Sequence, residues 1–268
     1  MKLNDFFATH PVFTTNELKK FLAARGSHNS WTRKALLAYH LKQGRVRRVR
    51  RGLYCTVPPG ASPVDCPVDA FVLAAKSTDD AVLAYHTALE LHGRAYSVHH
   101  RLLYLTAKRL PPWSFRSLRF RSVLFPKVLR DKNQEEFGVD VVWRENVDIR
   151  VTSLERTLVD VLDRLDLGGG LTEAWQSLES VEFFDLEKVV EYTLLLENGT
   201  TAARVGFFLD QHRETLMVED HHLVPLREHL PKTPHYLLRD HRGTARLVDE
   251  WNLLVPLQVL DRSWEEQR

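Results

Sequence analysis

The sequence predicts a mixed α+β protein in two parts: an N-terminal winged helix-turn-helix over residues 1–60 and a larger mixed α/β domain over residues 61–268. Three observations predict it. Between Phe13 and Val57, two short helical patterns joined by a polar turn are followed by a basic β-hairpin. Residues 58–67 then hold four prolines and a glycine, the composition of a connection. Charge divides at the same place. Residues 1–60 carry twelve Lys or Arg against Asp5 and Glu17, about +10, so a chain of net charge +2 leaves about −8 for the rest. Asymmetry of this size points to nucleic acid at the basic end.

Composition sets the outer bounds. At 268 residues the chain holds a winged helix and a sizeable second domain. With 44% hydrophobic and 27% charged residues it reads as soluble and globular. No apolar run approaches the roughly 18–20 residues that span a bilayer. MKLNDFFATHP lacks the apolar core and cleavage site of a secretory signal. Cys55 and Cys66, the only cysteines, suggest a reducing compartment with neither a disulfide framework nor a Cys-based zinc site. A cytoplasmic location is expected.

The elements follow in order. Leu3, Phe6 and Phe7 mark a short lead-in helix. Thr14-Thr15-Asn16-Glu17 predicts a capping box in which Thr14 serves the Glu17 amide and the Glu17 carboxylate reaches back. Leu18, Phe21 and Leu22 give that helix one buried face, and Gly26 ends it. Ser27-His28-Asn29-Ser30 supplies the turn and the next cap. A second helix then runs from about Trp31 to Lys42, with Gly44 as the residue beyond its end. In helix-turn-helix proteins the start of this second helix enters the major groove. Here it presents Asn29, Ser30, Thr32, Arg33 and Lys34. Asn can pair with adenine, Arg with guanine, and hydroxyls with phosphates or either base type. The plainer reading is a helical hairpin whose polar residues face water.

The wing, Arg45 to Tyr54, places Arg45, Arg47, Arg48, Arg50 and Arg51 within seven residues. Val46, Val49, Leu53 and Tyr54 anchor it and Gly52 permits its turn. Crowded guanidinium groups repel one another unless a counter-ion intervenes, and a phosphate backbone is such a counter-ion. The alternative is a solvated basic edge strand.

From Val68 the pattern changes. Helices are expected over Val68–Ala75 and Ala81–Leu91, strands over Arg101–Ala107 and Leu118–Leu124 with a Pro-Pro-Trp turn between them, and a further strand pair at Val139–Trp143 and Ile149–Val151. Thr152-Ser153-Leu154-Glu155 reads as a second capping box opening a helix to Leu165, with Arg156 and Asp160 paired at i, i+4. Gly168-Gly169-Gly170 ends it. Helices over Thr172–Glu179, Leu186–Glu197 and Thr200–His212 follow, and a short hairpin is expected within Leu237–Leu254. Glu155, Arg156 and Asp160 form a polar helix start that could contact a partner, although capping explains Thr152 and Glu155 outright and an intrahelical pair explains Arg156 and Asp160.

No enzyme announces itself. His86 and Glu90 share a helix face and His92 lies near, but no third ligand follows at metal spacing. The other histidines, among them His99-His100, His221-His222, His229, His235 and His241, form no H-E-x-x-H and no H-x-E with a Cys pair. Asp249-Glu250 lacks the lysine of a nuclease site, the glycine triplet lacks the Lys-Ser/Thr of a phosphate loop, and there is no G-x-S-x-G. The reading is a non-enzyme with no cofactor and no metal.

Three segments resemble the AbiEi family of type IV toxin–antitoxin antitoxins. Gly44-Arg45-Val46-Arg47-Arg48-Val49-Arg50-Arg51-Gly52-Leu53-Tyr54 is similar to the family's wing ending in RGLY. Ala84-Tyr85-His86-Thr87-Ala88-Leu89-Glu90-Leu91-His92-Gly93 is similar to its SH-x-A-L-x-x-x-G helix. Val151-Thr152-Ser153-Leu154-Glu155-Arg156-Thr157-Leu158-Val159-Asp160 is similar to its S-x-E-R-T-L-x-D helix. They fall in the family's order across residues 13–160. The resemblance implies a winged helix on double-stranded DNA, binding inverted repeats in its own promoter and repressing its own operon. It also implies a C-terminal domain that counters a nucleotidyltransferase-like toxin, directly or functionally. Two other readings stand beside it: a winged-helix transcription regulator with a ligand- or partner-sensing second domain, and a metal-dependent nuclease.

Overall fold

The computed structural model describes residues 3–64, 66–238 and 244–261. Contacts group the chain into two units. The first comprises Met1–Leu83, His100–Ser122 and Val141–Arg150, and the second Ala84–His99, Val123–Asp140 and Val151–Arg268.

In the first unit, α1 (Leu3–Thr9) leads into β1 (Val12–Thr14), α2 (Thr15–Ala23), α3 (Ser30–Lys42), β2 (Val46–Arg50) and β3 (Leu53–Thr56). The three strands form an antiparallel sheet in the order β1-β3-β2. Phe6, Phe7, Phe13, Leu18, Leu37 and Val46 close a small core beneath it. The predicted capping box is present: Glu17 N–H donates to Thr14 Oγ1 at 3.2 Å, and Thr14 N–H donates to the Glu17 carboxylate at 2.7 Å. Asn29 caps α3, its Oδ1 accepting from Trp31 N–H at 2.8 Å. This is the winged helix-turn-helix the sequence predicts.

The chain continues through α4 (Ala70–Ala75), β4 (Val82–Leu83), β5 (Arg101–Thr106), β6 (Trp113–Phe115), β7 (Leu118–Leu124), β8 (Val139–Arg144) and β9 (Val147–Thr152). Strands β4 to β9 make a six-stranded sheet in the order β6-β7-β5-β4-β9-β8. Residues 58–67, expected as a linker, are tied down within this unit: Arg116 donates to Cys66 O at 2.7 Å and to Val64 O at 2.6 Å.

The second unit is mainly helical: α5 (His86–Leu91), α6 (Lys127–Asp131), α7 (Leu154–Asp163), α8 (Leu171–Glu179), α9 (Leu186–Leu195), α10 (Gly199–Gln211), α11 (Asp220–Arg227) and α12 (Leu257–Leu260). Its core gathers Leu158, Leu162, Trp175, Tyr192, Phe208 and Trp251. A small sheet, β10 (His235–Tyr236), β11 (Ala245–Val248) and β12 (Leu253–Pro256), contains the hairpin expected in this region, with β12 central. His241 lies outside the described residues. Among the described residues no helix is long and apolar enough to cross a membrane.

Two expectations are corrected. Ala81–Leu91 is not one helix. Val82 and Leu83 pair with Leu105 and Tyr104 as β4, Tyr85 takes φ 58° and ψ −136°, and the helix starts at His86. An apolar run of this length fits a buried strand as well as a buried helix, and tertiary pairing decides. The second capping box does not form, and a single side-chain cap one residue later takes its place. Ser153 is the cap, accepting from Arg156 N–H at 3.3 Å, while Thr152 ends β9. Glu155 instead accepts from Asp185 N–H.

Candidate nucleic-acid interface

The winged helix divides its basic residues into two sets, and a β-bulge makes the division. Along β2, Arg47 stands opposite Cys55 and Arg48 opposite Tyr54, but the register then shifts so that Arg50 stands opposite Leu53. Strand side chains alternate faces, so residues three apart normally point opposite ways. The extra residue at Val49 puts Arg47 and Arg50 on one face, that of buried Leu53 and Cys55.

That face is turned into the protein. Arg47 Nη1 donates to Pro63 O and Val64 O, both at 2.7 Å, with its guanidinium 5.1 Å from the Phe115 ring. Arg50 Nη2 donates to Ser77 O at 2.7 Å and lies 4.9 Å from the Trp113 ring. Both arginines bind the wing to its own unit. Arg45, Arg48 and Arg51 are exposed and carry the positive charge that faces solvent. Arg48 also turns its Nε to Arg50 O at 3.4 Å.

The start of α3 is open. Asn29, Ser30, Thr32 and Lys34 are exposed and Arg33 is half-buried, with no acid in the first turn to offset the positive helix end. Because Asn29 spends its carbonyl on the cap, its side-chain N–H groups are what it has to offer DNA. The structure also exposes two residues that the sequence reading passed over. Trp31 is 76% exposed and Tyr39 56%, on the side of α3 away from buried Leu37 and His40. Helical spacing held the signal: a helix that buries Leu37 and His40 turns Trp31, Ala35, Ala38 and Tyr39 outward.

The module is held rigidly behind this surface. Lys76 Nζ sits 2.5 Å from Glu17 Oε1. Burial opposes charge on Glu17, but the Lys76 ammonium and the Thr14 N–H hold its carboxyl below the ordinary carboxylate range. Gly52, at φ 85°, makes the turn at the tip of the wing and accepts Thr15 N–H at 2.9 Å.

Residues 1–57 match the family described as transcriptional regulator, AbiEi antitoxin. The matched segment takes in all of α1 to β3. No curated protein matches the chain. A similar solved structure is that of the RV2827C protein from Mycobacterium tuberculosis, 16% identical, covering 93% of this chain and 89% of that one with a TM-score of 0.58. At that identity the likeness is one of fold.

In the second unit two of the three polar residues expected at a partner surface, Arg156 and Asp160, are internal, and Glu155 is half-buried. Arg156 is fully buried, donating Nη1 to Glu135 O at 2.8 Å and Phe137 O at 2.6 Å and Nε to Asp160 Oδ2 at 3.4 Å. Tyr192 Oη donates to the other Asp160 oxygen at 2.7 Å. Arg156 and Asp160 are thus core residues, which removes them from partner contact, and Glu155 is committed to the start of α9. The RTLVD stretch is a structural signature: a buried arginine gathers the 135–138 loop onto α7.

Two groups, His86-His99-Glu173 and Glu187-His221-His222, bring ligating atoms within 4.8 Å of one another, and in both the histidines His86, His221 and His222 already face carboxylates. His86 lies between Glu173 (Nε2 to Oε1, 3.0 Å) and Glu90 (Nδ1 to Oε1, 3.1 Å), and Glu173 also accepts from Ser97 N–H and Oγ. His222 Nδ1 accepts from Glu219 N–H at 3.0 Å, which leaves the ring proton on Nε2, where a metal would need a lone pair. His92, the remaining histidine of this helix region, contacts Thr152 O at 2.8 Å through Nε2.

Proposed function

We propose that the protein is a DNA-binding antitoxin that represses its own operon, residues 1–60 reading the operator and residues 61–268 countering a nucleotidyltransferase-like toxin encoded beside it. The observation that carries the DNA part is the open basic surface: Arg45, Arg48 and Arg51 on the wing, next to an uncapped-by-acid α3 start bearing Ser30, Thr32, Arg33 and Lys34. The match of residues 1–57 to an antitoxin-type regulator family supports it.

In this reading the beginning of α3 lies in the major groove, with Arg33 and Lys34 toward guanine edges or phosphates and Thr32 toward either. Trp31 adds an apolar contact such as a thymine methyl requires. The three outward wing arginines hold the flanking phosphates, while Arg47 and Arg50 fix the wing's angle. The molecule acts by occupying DNA and binding a partner, without catalysis, metal or cofactor, in the cytoplasm.

The test is binding of the full chain to the DNA upstream of its own gene, against a scrambled duplex, at several salt concentrations. Salt-sensitive preference for the upstream DNA is the expected result, and equal weak binding to both duplexes would end the repressor reading. Co-expression with the neighbouring toxin gene tests the other half: rescue of growth is expected, and its absence with DNA binding intact would leave a transcription regulator alone.

A further inference from the structure

We propose that β8 is a self-association edge, at which two copies of this chain pair antiparallel with Val142 on the two-fold axis. The two edges of the six-stranded sheet are built differently. Strand β6 is three residues long and is entered from Pro111-Pro112, which blunts it against pairing. Strand β8 runs six residues, contains no proline or lysine, and exposes Val141 (62%) and Trp143 (66%). A long edge with exposed apolar side chains is a template for another strand.

The hairpin into β9 says which backbone groups are free to pair. Its connection is the two residues Glu145 and Asn146, at φ 49° and 59°, the left-handed pair of a tight hairpin turn. In such a hairpin Arg144 and Val142 turn their N–H and C=O toward β9, so Val141 and Trp143 turn theirs outward. A second copy must then bond outward residue to outward residue.

Several symmetric registers satisfy that rule, and three of them overlap most of the strand. One centred on Val141 sets Val139 against Trp143 but leaves Asp140 against Val142, a carboxylate without a guanidinium. One centred on Trp143 sets Arg144 against Val142 and Val141 against Glu145. The register centred on Val142 sets Val141 against Trp143 and Asp140 against Arg144, each twice by symmetry. Only this last one matches apolar with apolar and carboxylate with guanidinium. Arg144 is already steadied for it, its Nε on Asp69 Oδ2 at 2.6 Å and its guanidinium 5.0 Å from the Phe71 ring. One carboxylate leaves a five-donor guanidinium with further N–H groups to offer. The self-complementary Asp-Val-Val-Trp-Arg sequence is what names a second copy as the occupant.

One strand pair buries less than the roughly 1,000 Å² of a stable interface, so the dimer is weak and forms in the upper micromolar range. Sedimentation of the full chain without DNA, across that range, should show the mean mass rising toward twice the monomer. Trp143→Lys should weaken the association about tenfold, since it removes two symmetry-related apolar pairs. Val142→Cys, treated with oxidised glutathione, should form an intermolecular disulfide with release of two reduced glutathiones, because non-bonded cross-strand positions lie within disulfide reach. Val141→Cys should not, since its own copy is out of register. The native Cys55 and Cys66 are fully buried and serve as background. A chain that stays monomeric, a dimer untouched by Trp143→Lys, or Val142→Cys chains that cross-link no faster than wild type or Val141→Cys would each overturn the proposal.

Discussion

Replacing the wing arginines in two groups should separate binding from folding. The outward group is Arg45, Arg48 and Arg51, and the inward group is Arg47 and Arg50. If each outward arginine neutralises one phosphate, changing all three to Ala lowers the salt slope of binding by about 2.7, at roughly 0.9 per contact. Between 50 and 200 mM salt, a fourfold change, the wild type then loses about 40-fold more affinity than the triple variant. Stability should barely move, because exposed charges contribute little. Arg47→Ala with Arg50→Ala should do the reverse. Arg47 makes two charge-assisted bonds to carbonyl oxygens and Arg50 one, and each lies over an aromatic ring, together worth about 2 kcal/mol per arginine. The double variant should lose about 4 kcal/mol, or roughly 8–16 °C in melting temperature for a chain of this size, while its salt slope stays within about half a unit of wild type. Fluorescence anisotropy on a labelled operator duplex and a thermal melt read the two quantities. Equal changes in slope from both groups would refute the division of the wing.

Three further outcomes are expected. Trp31→Ala should cost about 1–2 kcal/mol of DNA binding with an unchanged melt, since the ring is exposed in the free protein; a drop in melting temperature would instead place it in the fold. Arg156→Ala should destabilise the chain by about 3–5 kcal/mol, because it strands Asp160 as an unpaired buried carboxylate, one that burial already pushes up to about 6; a denaturant titration measures this, and a loss under 1 kcal/mol would contradict the network described. For His86, burial opposes the charge but Glu90 and Glu173 outweigh it, so its folded pKa is raised, and its contribution is complete below the ordinary histidine pKa and lost as pH rises through the folded value. Glu173, whose burial is outweighed by Ser97 and His86, has a lowered pKa, and its contribution is lost only as pH falls through that lower value. Denaturation midpoints of wild type and Glu173→Gln should therefore differ most between about pH 5 and 6.5, less above neutrality, where only the Ser97 bonds to Glu173 remain, and least in strong acid; a constant difference from about pH 5 to above neutrality would remove the charge pair from the explanation.

Legibility in the sequence followed how local each cause was. The capping box at Thr14–Glu17, the helix starting at Asn29-Ser30 and the hairpin closing at Gly52 are written in neighbouring residues, and all three are present. The boundary at Ala81–Leu91 was not legible, because β4 exists only through Leu105 and Tyr104, more than twenty positions away. The five arginines show the same limit within seven residues. Their charge was visible as a run, but which of them turn outward depends on a bulge at Val49 and on carbonyl groups and aromatic rings supplied by Pro63, Ser77, Trp113 and Phe115. A guanidinium that satisfies carbonyls inside the molecule and one that neutralises a phosphate outside it are identical in sequence. Arg156 makes the point from the opposite side: a polar helix start looked like surface, and burial made it the clasp of the second unit's core. Charge in the sequence thus gave the partner's sign, while long-range packing decides which charges meet it, and the wing variants measure that decision directly.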